Sequence, residues 1–325
     1  MQGVKSILIT GGTGTFGKEY VDYLLKETKI AKVIVFSRDE FKQDLMEKEL
    51  IIKYPNDFAR LRFFIGDVRD IDRLKMAFNG VDVVVHAAAM KQVPACEYNP
   101  FEAIKTNVIG AQNVIESAIF CNVKVVIALS TDKAVNPVNL YGGTKLLSDK
   151  LFVAANSYSA GKTKFSVVRY GNIAGSRGSI IPLAMELAKT KGTLPLTHNS
   201  MTRFWMTLDN AIGIVNQSIL HANGGEIFVA KNPSFNVKEL LEAICPECPI
   251  ETVGIRPGEK LSESLISKEE SRNVVEFEDY FVIHPNQIDS IPSEKVEWEY
   301  NSNTNDVFLT PLQLSEFINK LNRKL

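Results

Sequence analysis

Tyr141 and Lys145 stand four residues apart in Tyr141-Gly142-Gly143-Thr144-Lys145. On a helix that spacing puts them on one face, one turn from each other. An ammonium close to a phenol favours the phenolate and lowers its pKa. Tyr141 is therefore a candidate general acid/base near neutral pH. Just upstream, Ser130-Thr131-Asp132-Lys133-Ala134 follows an apolar run, Val125–Leu129, that reads as a buried strand. At that strand end Thr131 can hydrogen-bond a substrate hydroxyl, and Asp132 and Lys133 add a second acid/base pair. A phenol, a carboxylate and an amine together suggest more than one proton transfer per turnover. An isolated Tyr-x-x-x-Lys fits an exposed helix start equally well, and Asp132-Lys133 fits a surface ion pair of little worth. The elements that must position these groups decide between the two.

The chain starts strand, glycine turn, helix: Ile7-Leu8-Ile9-Thr10, then Gly11-Gly12-Thr13-Gly14-Thr15-Phe16-Gly17. Gly11, Gly14 and Gly17 form a variant of the dinucleotide fingerprint. The glycines permit a tight turn and close backbone approach to a pyrophosphate, and the helix N-terminus offers free N–H groups to it. A second strand over 33–36 ends in Ser37-Arg38-Asp39. Arg38 at the strand tip can accommodate a 2′-phosphate, which favours NADP over NAD. A third strand, 62–65, leads to Gly66-Asp67-Val68, where Asp67 can meet an adenine amino group. A fourth, 81–85, runs into His86-Ala87-Ala88-Ala89, whose small residues allow a cofactor close to the backbone.

Helical patterns fill the gaps at 39–50, 70–79 and 101–120, and after the fifth strand from Thr144 to 158. A sixth strand covers 165–170. Strands alternating with helices predict an α/β protein with a Rossmann-type, doubly wound parallel sheet. Ligands in that architecture sit at the carboxyl ends of the strands. Gly11–Gly17, Arg38, Asp67, Ala87–Ala89, Ser130–Lys133 and Gly171-Asn172 all fall there. After Asn172 the pattern changes to a loop at 175–179, helices at 180–190, 208–221 and 236–244, a strand at 226–230 and a final helix from about Leu312. The expected division is a dinucleotide-binding domain over 1–171, rejoined by 206–232, and a smaller C-terminal α/β substrate domain over most of 172–325.

The totals exclude several classes. Net charge is −1, with 45% hydrophobic and 23% charged residues, as in an ordinary globular protein. There is no electrostatic case for nucleic acid or a membrane surface, no apolar run long enough for a membrane span, and no secretory pattern at the N-terminus. A cytoplasmic protein is expected. Four cysteines at this length make no disulfide scaffold. Cys245 and Cys248 have metal-pair spacing without partner ligands, and they read as incidental. No metal is expected, and the four histidines are assigned no chemistry.

Tyr141-x-x-x-Lys145 with the first-strand fingerprint resembles an extended short-chain dehydrogenase/reductase. Phe64–Asp70, His86–Ala89, Ser130–Ala134, Arg169-Tyr170-Gly171-Asn172, Met201–Trp205 and Arg256-Pro257-Gly258-Glu259-Lys260 narrow the likeness to the inverting UDP-N-acetylglucosamine 4,6-dehydratases of the pseudaminic acid pathway. Lys91-Gln92-Val93-Pro94 departs from the Lys-His-Val-Pro run common in that family. The resemblance implies bound NADP used catalytically, with Tyr141 taking the proton of the hydroxyl on sugar carbon 4. Lys145 would lower the Tyr141 pKa and hold the nicotinamide ribose, and Thr131 would steady the same hydroxyl. A deprotonated Lys133 would remove the proton on carbon 5 while Asp132 protonates the departing hydroxyl of carbon 6. Arg177 and Arg256 are expected on the diphosphate, Glu259 on a ribose hydroxyl, Asn172 on the diphosphate or sugar, and Lys91 in the substrate pocket. Arg203 beside Trp205 reads equally as a structural cation–π pair. A homo-oligomer such as a hexamer is also implied. The same scaffold would serve a UDP-sugar 4-epimerase, which needs neither Asp132 nor Lys133, or a non-catalytic NADP-binding protein, which keeps neither Tyr141 nor Lys145 by necessity.

Overall fold

The computed structural model describes residues 3–176, 179–286 and 297–322. In chain order the first half runs β1 (Ser6–Thr10), α1 (Thr15–Glu27), β2 (Lys32–Ser37), α2 (Glu40–Lys53), β3 (Leu61–Ile65), α3 (Ile71–Phe78), β4 (Val83–His86), α4 (Val93–Tyr98), α5 (Pro100–Ile104), α6 (Gly110–Phe120), β5 (Val125–Leu129), α7 (Leu140–Ala155) and β6 (Lys164–Arg169). The second half adds β7 (Asn172–Ile173), α8 (Ile180–Thr190), β8 (Leu194–Leu196), β9 (Thr202–Met206), α9 (Leu208–His221), β10 (Ile227–Ala230), β11 (Ser234–Asn236), α10 (Val237–Ile244), β12 (Ile250–Thr252), β13 (Ser264–Ile266), β14 (Val274–Glu276), β15 (Tyr280–Ile283), β16 (Tyr300–Asn301) and α11 (Pro311–Asn322).

The central sheet has the order β14-β15-β10-β6-β5-β4-β1-β2-β3. From β6 to β3 every pairing is parallel, and β10 joins parallel to β6. Parallel strands need cover on both faces, and the strand sequences supply apolar side chains to both. Ile7, Ile9, Val33, Val35, Val83 and Val85 pack on one side with Tyr20 and Leu24 of α1 and Val215 and Ile219 of α9. Leu8, Ile34, Val84 and Val126 pack on the other with Leu74 and Phe78 of α3, Val114 and Ile115 of α6 and Phe152 of α7. The order of strand addition reverses at β1, whose neighbours are β2 and β4. That switch point opens a crevice at the strand carboxyl ends. A separate apolar cluster joins Ile181 of α8, Trp205 of β9, Phe235 of β11, Leu240 of α10 and Leu314 of α11.

The structure corrects three expectations. The sheet is not wholly parallel: β15 runs antiparallel to β10, and β14 antiparallel to β15. These strands of three and four residues are too short to stand out from the polar tail. The 101–120 helix is interrupted by a π-helical turn over Lys105–Ile109. Its Asn107 is 1% exposed and bonds outside the helix, to Met90 and Thr144, and such a turn costs helix pairing that those bonds replace. α7 begins at Leu140 rather than Thr144. Asn139 caps it by accepting from the Gly142 N–H at 2.8 Å. A Cβ on Gly142 would stand 2.2 Å from the Lys133 carbonyl oxygen, so this glycine permits the helix to start against the Asp132 turn.

Candidate active site

β5 delivers the chemistry. Beyond Leu129 its backbone keeps pairing with β6, through Ser130 N–H to the Val168 carbonyl and Asp132 N–H to the Tyr170 carbonyl. Asp132–Ala134 then tighten into a 3₁₀ turn whose first N–H groups are capped by Thr131. Against this turn stands the first turn of α7, with Tyr141 and, one turn on, Lys145. Thr131, Asp132, Lys133 and Tyr141 thus stand together, with Lys145 one helical turn beyond Tyr141.

The electrostatics differ from expectation. Lys133 Nζ lies 3.0 Å from Asp132 Oδ1, 3.2 Å from the Asn172 side-chain oxygen and 3.5 Å from Glu263 Oε1. Burial alone would lower the ammonium, but Asp132 and Glu263 outweigh it and hold the pKa above its ordinary value, with Arg203 opposing them. The resting Lys133 is therefore protonated, not the neutral base expected, because two carboxylates rather than neighbouring cations surround it. The Thr131 hydroxyl donates to Asp132 Oδ1 at 2.9 Å, and Asp132 is fully buried.

Tyr141 departs from expectation in the same way. Burial pushes its phenol above the ordinary range, Asp132, Cys96 and Asp149 add to this, and the Thr131 hydroxyl pulls the other way. Lys145, 3% exposed, is itself pushed down by burial and held up by Asp149. Desolvation is thus the largest influence on the Tyr141 phenol, and it favours the protonated form.

Asp149, four residues beyond Lys145 on the same face of α7, anchors the lower site. It accepts from the Ser130 hydroxyl at 2.8 Å and lies 3.5 Å from Arg169. Arg169 is 1% exposed and also meets Glu270 at 2.9 Å and the Leu265 carbonyl at 3.0 Å. Asn107 holds the next layer: its amide bridges the Met90 backbone, at 2.8 and 2.9 Å, to the Thr144 hydroxyl, at 2.9 Å. The π turn thereby fixes the segment after β4 against α7.

Of the expected cofactor residues, Gly11–Gly17 and Ala87–Ala89 follow the carboxyl ends of β1 and β4. Gly11 adopts φ +68°, and a Cβ there would stand 2.9 Å from the Ala88 backbone. Gly14 is the N-cap of α1 and provides no side chain to occupy the helix N–H groups. Thr13 and Thr15 are half-buried in the turn, while Phe16 is stacked on Tyr20 in the core and offers that face only its backbone. Gly17 packs on Gly12, 2.5 Å from where a Cβ would sit. Ala87 is tied to β1 by its N–H to the Thr10 carbonyl, and Ala88 by its N–H to the Thr10 hydroxyl. Ala87 and Ala88 are half-buried and Ala89 exposed. His86 stays neutral, its pKa lowered to about 3 by burial and then by Lys145.

At the tip of β2, Ser37 is buried and bonded to Gln43, while the Arg38 side chain is open to solvent and 3.6 Å from Asp67. Asp67 is already engaged by Arg69 at 2.7 Å; burial works against the charge, but Arg69 and Arg38 hold the carboxyl below its usual range. Val68 belongs to the core, packed under Gly110.

Among the expected substrate residues, Asn172 reaches Lys133. Arg256 is exposed, and Glu259 accepts from the Thr197 hydroxyl at 3.2 Å and the Arg256 N–H at 3.3 Å. This loop is pinned to α7 by the Asn139 amide, which donates to the Gly258 carbonyl at 2.8 Å. Lys91 is exposed in the segment between β4 and α4. Arg177 lies outside the described residues. Arg203 gives its guanidinium to the carbonyls of Thr202, Lys260 and Leu261, whereas Trp205 packs edge-on against Phe235 and Phe317. Cys245 and Cys248 are joined as a disulfide at the end of α10. No described helix is long and apolar enough to cross a membrane.

A family model described as polysaccharide biosynthesis protein matches residues 7–285. The chain belongs to this family. A Campylobacter jejuni protein (serotype O:2) named UDP-N-acetylglucosamine 4,6-dehydratase (inverting) is 47% identical, with 97% of each chain covered. A second C. jejuni protein of that name, from serotype O:23/36, is 52% identical over 86% of this chain and 83% of its own. The resemblance read from the motifs is thereby shown. A Rickettsia conorii protein named UDP-glucose 4-epimerase is 44% identical, covering 86% and 82%. Among solved structures, that of Pen from Bacillus thuringiensis superimposes with a TM-score of 0.87 at 39% identity, covering 97% and 98%. A Streptomyces venezuelae dTDP-glucose 4,6-dehydratase, solved with NAD bound, shares the fold with a TM-score of 0.69 at 23% identity, covering 79% and 86%.

Proposed function

We propose that the protein dehydrates UDP-N-acetylglucosamine to a UDP-4-keto-6-deoxy-N-acetylhexosamine with inversion at carbon 5. The observation that carries this reading is the buried Asp132–Lys133 pair beside Tyr141. An epimerase has no use for that pair, and two relatives, 47% and 52% identical, carry the dehydratase name. A nicotinamide dinucleotide fits the β1/β4 crevice: the left-handed Gly11, the side-chain-free N-cap Gly14 and the small Ala87–Ala89 leave backbone where a pyrophosphate and ribose approach. Arg38, exposed at the tip of β2, favours NADP. A dinucleotide held there would supply the reversible hydride transfer that oxidation at carbon 4 and reduction at carbon 6 require.

The chain's own groups move the protons. Tyr141 first releases its phenol proton to solvent, with Lys145 as the cation that stabilises the phenolate, and then takes the proton of the carbon 4 hydroxyl, which Thr131 orients. Once carbon 4 is a ketone, the proton on carbon 5 is acidic. The resting ion pair is one proton shift from the reactive arrangement: Lys133 passes a proton over 3.0 Å to Asp132, which makes an amine base and a carboxylic acid from an ammonium and a carboxylate. The amine removes the carbon 5 proton while the acid protonates the departing hydroxyl of carbon 6. Water leaves and the ion pair is restored, so the resting charge state is also the state after elimination. A final proton, drawn from solvent, reaches carbon 5 from the opposite face.

In this reading residues 1–171, with 206–232, hold the dinucleotide, and most of 172–325 holds the nucleotide sugar through Arg256, Glu259, Asn172 and Arg177, with Lys91 reaching it from the first domain. Exposed Phe101, Ile109, Phe120 and Leu147 along α5 to α7 support a homo-oligomer. The test is mass spectrometry of the reaction with UDP-N-acetylglucosamine in heavy water. The expected product is lighter by one water and carries one deuterium at carbon 5, with NMR reporting the inverted configuration. An unchanged mass with a new epimer would make the protein a 4-epimerase.

A further inference from the structure

The resting ion pair has a third member that the sequence did not announce. Glu263 lies on the segment leading into β13, far along the chain from Lys133, and is 3% exposed. Its Oε1 is 3.5 Å from Lys133 Nζ, and its Oε2 is 3.6 Å from Lys260 Nζ with no hydrogen bond of its own. Lys260 in turn donates to the Val135 carbonyl, at the end of the Asp132 turn, at 2.6 Å. A buried carboxylate that spends neither oxygen on a strong hydrogen bond is costly. It is tolerated here only because two ammonium groups face it.

We infer that Glu263 is a positioning residue for the elimination: its carboxylate clamps the Lys133 ammonium against Asp132 and keeps the pair's proton inside the site. This rests on the dehydratase reading, since only there does the Lys133–Asp132 proton do chemistry. The groups facing Lys133 are Asp132 on its own turn, Asn172 at β7, Glu263 before β13, and Arg203 on β9, which opposes the two carboxylates. Lys260 balances Glu263 from the loop after Arg256. Asp132 alone would hold the ammonium from one side. Glu263 adds the second anion and ties the catalytic turn to the segment that follows the Arg256–Lys260 loop.

The pair becomes useless when it loses its proton to solvent, because Asp132 then has none to give. The alkaline loss of kcat/KM for dehydration reports that event in the free enzyme. Removing an anion at this distance lowers the pKa of an ammonium by about one unit or more. The experiment compares the pH profiles of wild type, Glu263→Gln, Glu263→Asp and Lys260→Met, each by mass-spectrometric product formation. In Glu263→Gln the alkaline loss is expected about one pH unit or more earlier. Glu263→Asp is expected to recover the wild-type position, and Lys260→Met, which frees Glu263 for Lys133, does not move the loss downward. If all variants lower activity equally at every pH, Glu263 is merely structural and the inference falls. Should Glu263→Gln fail to fold, Glu263→Asp and Lys260→Met decide: both hold the alkaline loss at or above its wild-type position if the inference is right, and a downward shift in Lys260→Met overturns it. No water loss by the wild type refutes the dehydratase reading and this inference together, whereas normal wild-type turnover with an unshifted Glu263→Gln profile removes the inference alone.

Discussion

Arg169→Leu tests the scaffold beneath the site. Arg169 is 1% exposed and is the cation between two carboxylates, Asp149 at 3.5 Å and Glu270 at 2.9 Å. Removing one partner of a buried ion pair typically costs about 3–5 kcal/mol, because the charges left behind keep their desolvation penalty. An unfolding entropy of about 2.1 cal/mol/K per residue gives roughly 0.7 kcal/mol/K for a chain of 325 residues. A loss of about 4 kcal/mol therefore lowers Tm by about 6 °C. The sign of the pH dependence follows from the two orphaned carboxyls. Asp149 is already held above its ordinary range by burial, with Arg169 and Lys145 opposing. Glu270 is held below its range by Arg169, against burial. Without the guanidinium both rise above their unfolded values, the folded state binds more protons, and its stability falls as pH rises. The deficit relative to wild type is thus largest near neutral pH and shrinks as pH falls toward about 5. Calorimetric unfolding at a series of pH values measures it. A deficit below about 1 kcal/mol, the scale of a surface pair, or one that grows on acidification, would refute the argument.

Lys133→Met is expected to leave carbon 4 oxidation intact and slow water loss by about 10²–10⁴-fold; nicotinamide absorbance at 340 nm in roughly single-turnover conditions would rise and persist, whereas near-normal product formation would rule out Lys133 as the base. Gly11→Ala imposes a left-handed conformation, costing about 1–2 kcal/mol, and drives a methyl to 2.9 Å from the Ala88 backbone. Calorimetric titration should show dinucleotide affinity lost, and unaltered binding would mean the crevice is not the cofactor site. Arg38→Ala removes a charge-assisted contact to a 2′-phosphate, worth about 1.5–3 kcal/mol, so NADP affinity should drop by at least about tenfold with NAD affinity unchanged; an equal change in both would remove Arg38 as the selector.

Much of this architecture was legible because parallel sheets carry strong local signals. β1, β2, β4 and β5 are continuous apolar runs, each ending at a glycine, alanine or polar cluster that the doubly wound topology needs at the strand tips. Tyr141 and Lys145 share a face because helix periodicity alone requires it, and the strand–turn–helix order already put Thr131, Asp132 and Lys133 beside them. The charge states were not legible. Whether Lys133 is neutral depends on which charges face it, and one of them, Glu263, arrives from 130 positions along the chain beside a β13 that no periodicity marks. The Tyr141 phenol is governed by desolvation, a property of the whole packed site. Asn107 likewise read as one more polar position on a helix, and only the contact of the π turn with Met90 and Thr144 gives it a role. Local pattern determined the elements and which side chains share a strand end, because periodicity is a property of neighbours in sequence. Protonation and ion pairing were decided by tertiary structure, because electrostatic energy inside a protein depends on burial and on distances between residues that the sequence keeps far apart.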